Sequence, residues 1–153
     1  MRFFLAGIMQ GSRRDTALHA QDYRPRLKGL LLQHFRDAEV YDPLADHHNS
    51  LEYDDATGRE VFYRHNRLCR EVDVVVAFVP EASMGTAIEM WEAHEHGRGV
   101  VVCVSPLVRN WAVRYCSHVV YPDFDAMEAE LESGRLARRI EETLVQRRAA
   151  GKP

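Results

Sequence analysis

Ser83, Gly85, Thr86 and Glu89 stand close together directly behind an apolar run, Asp73-Val-Val-Val-Ala-Phe-Val, that Pro80 brings to an end. The run is short and β-branched, which reads as a buried parallel strand. The small residues after it suit a tight turn. From Thr86 the composition becomes helical to about His96, with Gly97 as its stop signal. At such a strand–turn–helix junction, backbone N–H groups and the positive end of the helix dipole face the space above the turn, which suits an anion such as phosphate. A carboxylate at Glu89, one turn into the helix, can look back toward the same space. The competing reading is that glutamate is common in first helical turns because the dipole favours it there.

Two further polar stretches follow other apolar runs. Gly7-Ile-Met-Gln10-Gly11-Ser12-Arg13-Arg14-Asp15 follows the N-terminal run Arg2 to Ala6. Its glycines, serine and arginines could cradle a phosphate, with arginine giving bidentate hydrogen bonds, or could form a solvated loop. Asp42 to Asp55 is a long polar loop, and long loops in compact domains are often functional. Within it Asp46, His47 and His48 suggest a metal site. Adjacent histidines rarely converge on one ion, however, and no further ligand spacing appears, so a loop covering a substrate is the better reading.

The elements that must hold these stretches alternate. Strands are expected at Arg2 to Ala6, Glu39 to Tyr41, Asp73 to Val79, Val100 to Val104 and His118 to Tyr121. Helices are expected over Leu18 to Phe35 (where Pro25 must kink the helix or start its main part), from a capping box Thr57-Gly-Arg-Glu60 to about Glu71, from Thr86 to His96, in a short segment between Leu107 and Tyr115, and over Phe124 to Arg148 with a break at Ser133-Gly134. Alternation of this kind predicts an α/β domain spanning residues 1–153. Its five-stranded parallel sheet has helices on both faces in the flavodoxin- or Rossmann-like order 2-1-3-4-5. Ligands bind at the carboxyl ends of the strands in such sheets, so the three polar stretches should share one crevice near strands 1 and 3.

Composition narrows the function classes. A net charge of −3 argues against broad binding to nucleic acid polymers. No apolar run is long enough for a membrane span, and the N-terminal one is too short for a signal peptide. Cys69, Cys103 and Cys116 are scattered without a metal or disulfide pattern, which fits buried thiols in a reducing cytoplasm.

Phe4-Leu5-Ala6-Gly7, together with Asp73-Val-Val-Val-Ala and Ser83-Met-Gly85-Thr86-Ala-Ile-Glu89, resembles the nucleoside 2-deoxyribosyltransferase family over about residues 3 to 121. The closest branch is that of the nucleoside 5′-monophosphate N-glycosidases. The resemblance implies that Glu89 is a nucleophile attacking the anomeric carbon of the sugar, with Ser83 and the Gly11-Ser12-Arg13-Arg14 loop on the 5′-phosphate. Gly7, Gly85 and Asp42 would help form the substrate site, and no cofactor or metal is needed. The chemistry agrees: breaking an N-glycosidic bond builds positive charge on the sugar ring, which a carboxylate can stabilise and trap.

Three departures from the family pattern matter. Gln10 stands where the hydrolases typically carry arginine. Phe4 stands where the deoxynucleotide hydrolases carry tyrosine, which points toward a ribonucleotide. His65 stands where the family usually has an aspartate that engages the sugar or protonates the leaving base. A histidine can donate a proton near neutral pH, and it is equally well a residue of a helix surface. The expected activity is hydrolysis of a nucleoside 5′-monophosphate to free base and sugar phosphate. The alternatives are base exchange by a transferase and a non-catalytic nucleotide-binding protein. The resemblance also implies a homodimer in which Asn110, beside Trp111, reaches the neighbour's site.

Overall fold

The computed structural model describes residues 1–11 and 18–151. Five parallel strands form one sheet in the order β2-β1-β3-β4-β5: β1 (Arg2–Gly7), β2 (Glu39–Tyr41), β3 (Val74–Phe78), β4 (Val100–Val104) and β5 (Val119–Tyr121). The register runs without slippage across the centre, with Phe4 opposite both Tyr41 on β2 and Val75 on β3, and Val75 opposite Val101 on β4. Because side chains alternate along a strand, each strand feeds two cores. Phe3, Leu5, Val74, Val76, Val100 and Val102 pack on one face against α1 (Tyr23–His34), α6 (Phe124–Glu132) and α7 (Arg135–Ala149). Phe4, Ala6, Val75, Ala77, Val101 and Cys103 pack on the other against α3 (Asp55–Glu71), α4 (Met84–Trp91) and α5 (Trp111–Tyr115). Double coverage explains why β3 and β4 read as unbroken apolar runs. This is the five-stranded α/β arrangement that the alternating pattern predicts.

The boundaries depart from expectation where capping chemistry outweighs composition. α1 starts at Tyr23 rather than Leu18, which places Pro25 in the first turn, where a missing N–H costs nothing. α3 starts at Asp55, because Asp54 accepts from the Thr57 N–H at 2.7 Å and so caps the helix ahead of the expected box at Thr57. The stretch from Asp42 to Asp55 is not one open loop. It holds a helical turn, α2 (Pro43–Asp46), capped by Asp42, and a 3₁₀ turn over Ser50–Glu52. The helix carrying Glu89 changes pitch, since α4 ends at Trp91 and a π-helical turn follows over Glu92–His96. Arg147 on α7 donates to the carbonyls of Ala93, His94 and Gly97 at the end of that turn. The last helical stretch does break at Ser133 and Gly134, the glycine taking φ +70.

Cys69, Cys103 and Cys116 are buried and unbridged. Among the described residues no helix is long and apolar enough to cross a membrane.

Candidate active site

A cavity of about 310 Å³ opens at the carboxyl ends of β1 and β3. One wall is the strand-1 loop, Gly7, Met9, Gln10 and Gly11. The opposite wall is the N-terminal turn of α4, with Ser83, Met84, Gly85 and Thr86, and Glu89 behind it. Val61, Phe62, His65 and Asn66 of α3 close one side, together with Pro43, His47, Ser50 and Tyr53 from the stretch after β2. The volume lies at the lower end of the range for small-molecule pockets. The two glycines nearest β1 are there for specific reasons. A Cβ on Gly7 would fall on the Tyr23 hydroxyl, and Gly11 takes φ +60 against Ile8 and His19.

Glu89 is the chemically distinctive group. Burial pushes its carboxyl up to about 8, and the Arg24 guanidinium pulls in the opposite direction. A carboxyl that titrates near neutrality in a cleft is a mark of functional sites. Ser83 organises the turn before it. Its Oγ caps α4, accepting from the Thr86 N–H at 3.4 Å and from the Thr86 hydroxyl at 3.0 Å. Both lone pairs of the Ser83 oxygen are then engaged, and its own O–H is left as a donor.

His65 lines the cavity rather than the helix surface. Its Nε2 lies 3.1 Å from the Tyr41 hydroxyl. Its ring packs 5.1 Å from that of His47 and edge-on to Phe4 at 6.0 Å. Burial, followed by the charges of His47 and Arg64, pulls its pKa down to about 4. At neutral pH His65 is therefore an uncharged imidazole, not the cationic proton donor that the sequence suggests. The Tyr41 hydroxyl is itself pushed up, first by burial and then by the Asp46 charge. His47 Nδ1 lies 2.9 Å from the Tyr53 hydroxyl.

The expected site residues divide into three groups. Gly7, Gly11, His65, Ser83, Gly85 and Glu89 meet in the cavity. Ser12, Arg13 and Arg14 lie outside the described residues. Phe4, Asp42 and Asn110 are placed elsewhere. Phe4 is wholly buried, stacked at 5.6 Å on Tyr41, its partner in register on β2. Asp42 pairs with the buried Arg24 at 2.8 Å and caps α2 through the Leu44 N–H. Asn110 caps α5 by accepting from the N–H groups of Ala112 and Val113, and it lines a second, largely apolar hollow with Val79, Met84, Met90, Leu107 and Val113. Around that hollow Met84, Trp91, Trp111 and Tyr115 are exposed, Trp111 by 76%.

Residues that the sequence reading did not single out complete the cavity. Phe62 and Val61 carried a weak signal, as apolar residues on the outer face of α3, and Tyr53 was one polar residue among many. Nothing in the sequence pointed to Arg24, because a charged side chain in an ordinary helix reads as solvated.

No family model matches this chain, and no curated protein matches it.

Proposed function

We propose that this protein hydrolyses the N-glycosidic bond of a nucleoside 5′-monophosphate. The observation that carries the reading is the desolvated Glu89 carboxyl at the carboxyl ends of β1 and β3, one turn from the N-terminus of α4. In its ionised form Glu89 attacks the anomeric carbon. The C1′–N bond breaks, the base leaves with the bonding electrons and takes a proton from solvent, and a glycosyl ester on Glu89 forms. Water then resolves the ester to sugar phosphate. The Ser83 hydroxyl and the N–H groups of the first turn of α4 suit the 5′-phosphate, with Ser12, Arg13 and Arg14 as the proposed cationic side of that subsite. The apolar flank of Met9, Val61, Phe62 and Met84 suits a planar base. The exposed apolar rim of α4 and α5 supports a homodimer, with Asn110 of each subunit serving the other's site.

The test is a panel of ribo- and deoxynucleoside 5′-monophosphates, each with and without a second free base, read by base release and by product identity. Free base with sugar phosphate is the expected result. An exchanged nucleoside would make the protein a transferase, and tight nucleotide binding without bond cleavage would make it a binding protein.

A further inference from the structure

Asn66 lines the cavity and is only 6% exposed, yet among the described residues its side chain has no hydrogen-bond partner. Its Oδ1 is sealed inside the protein. Its Nδ2 is not sealed, so the amide turns its two N–H donors toward the open space of the cavity. Burying an unpaired amide costs free energy, and buried polar groups are almost always paired. Among the described residues Asn66 caps no helix and ties no two elements together, so the fold itself does not call for an amide there. Its place on α3 gives the direction of the donors' surroundings. α3 descends from the mouth of the cavity toward the amino ends of the strands, because it joins the stretch after β2 to the start of β3. Phe62, four residues earlier on the same face, is exposed at the mouth, and Cys69, three residues later, is wholly buried. Burial and then the Glu89 charge push the Cys69 thiol up, so the Glu89 carboxyl lies near the lower part of this face. Asn66 therefore stands between the apolar surface proposed for the base and the carboxyl proposed to attack the sugar.

We propose that Asn66 is a catalytic residue of the first half-reaction, its Nδ2–H donating to the acceptor atom beside the glycosidic nitrogen of the departing base, O2 of a pyrimidine or N3 of a purine. As a Glu89 oxygen bonds to C1′, the C1′–N bond breaks and its electron pair passes to the base. Part of that charge appears on the acceptor atom that Asn66 faces. A donor held there binds the departing base more tightly than the intact nucleotide, which is the condition for lowering the barrier. No proton leaves the amide, and solvent still supplies the one that the base takes up. A neutral donor suits this step, because Glu89 must be ionised and the uncharged His65 ring is a poor acid. The inference rests on the glycosidase reading of the same site.

The test pairs a change in the protein with a change in the substrate. Asn66→Leu replaces the unpaired amide by an apolar group of similar shape, so it should fold with an unchanged or higher Tm. It should lower kcat/KM by about 10²-fold for the nucleoside 5′-monophosphate that the wild-type protein cleaves fastest. The matching substrate change weakens the acceptor: the 3-deaza analogue if that nucleotide is a purine, the 2-thio analogue if it is a pyrimidine. The wild-type preference for the normal nucleotide over its analogue should shrink by at least about tenfold in Asn66→Leu, because the intrinsic difference between the two leaving groups is the same for both proteins. Asn66→Ala should repeat the result. An unchanged preference, with base still released, overturns the proposal and leaves the glycosidase reading intact. So does a preference that changes only against the 2′-deoxynucleotide, which would put the amide on the sugar. If neither variant folds, Asn66 is a structural residue and the proposal falls. Failure of the wild-type protein to release base from any nucleotide would remove the glycosidase reading itself, and the proposed contact with it.

Discussion

Arg24 and Asp42 meet at 2.8 Å at the carboxyl ends of β1 and β2, the arginine 2% exposed and the aspartate 13%. The guanidinium also donates to the carbonyls of Leu5 and Gly7 and to the Gln21 side chain, so the strand ends that form one wall of the cavity hang on it. Among the described residues, the same cation is the one charge that lowers the pKa of Glu89. The pair thus joins fold stability to the electrostatics of the proposed nucleophile.

Breaking the pair from either side should have opposite effects on Glu89. Asp42→Asn leaves a buried guanidinium without its counter-charge. It should destabilise the protein by about 3–5 kcal/mol and move the Glu89 titration to lower pH. Arg24→Met should also destabilise, but should move the Glu89 titration upward. Chemical denaturation together with the pH dependence of kcat/KM separates the two variants. Shifts in the same direction would mean that Arg24 does not act on Glu89 as a charge.

Glu89 sets a pH dependence with a definite sign. Its carboxyl titrates at about 8 in the folded protein, well above the usual carboxylate range. Between the unfolded value and about 8 the native state holds a proton that the unfolded state has lost, so this group lowers stability as pH rises through that window. Glu89→Gln should therefore abolish base release. It should also raise stability at pH 8 relative to pH 5, by an amount on the order of a few kcal/mol. In the wild-type protein kcat/KM should climb with pH through about 8 and level off above it, because the nucleophile must be ionised. A flat profile between pH 6 and 8 would mean that the titrating group is not the nucleophile.

The sheet was legible because burial on both faces writes itself into sequence as continuous runs such as Val74 to Phe78 and Val100 to Val104. Part of the cavity was legible where a residue also shapes the local turn, as at Ser83, which both caps α4 and lines the cavity. The roles of Asp42 and His65 were not. Asp42 was one acidic residue in a polar stretch, and its partner Arg24 lies on another element. The protonation of His65 depends on Tyr41, His47 and Arg64, which only the fold brings together. The start of α3 was misplaced because Asp54 and Thr57 are both plausible caps, and it is the Asp54 carboxylate that accepts from the Thr57 N–H.

His65 should leave a mark on acid stability with the opposite sign. Its folded pKa of about 4 lies below the ordinary value of 6.5. As pH falls from about 6.5 toward 4, the unfolded chain takes up a proton that the folded protein refuses, and stability drops. His65→Gln should flatten that part of the stability curve, by an amount on the order of 2 kcal/mol. Thermal denaturation of both proteins at pH 4.5 and 7 is the measurement. Equal acid sensitivity in the two would mean that the ring is not held neutral by its surroundings.

Asn110 allows the dimer to be tested without confusing assembly with folding. Its Oδ1 accepts from the Ala112 and Val113 N–H groups, while no hydrogen bond from its amide N–H₂ occurs among the described residues. Asn110→Asp keeps the accepting oxygen and removes the donors. Asn110→Ala removes both and should cost about 1 kcal/mol as a lost helix cap. If the amide serves the neighbouring subunit's site, Asn110→Asp should fold with near wild-type stability yet lose activity. Mixed with Glu89→Gln and allowed to exchange subunits, it should regain activity, because in each hybrid one site has both an intact Glu89 and an intact partner Asn110. Trp111, 76% exposed in the single chain, gives the matching control. Trp111→Glu should disperse the dimer on sizing and abolish activity with little loss of fold stability. A Trp111→Glu protein that is monomeric and fully active would show that each site is complete within one chain, and Asn110 would then be no more than the cap of α5.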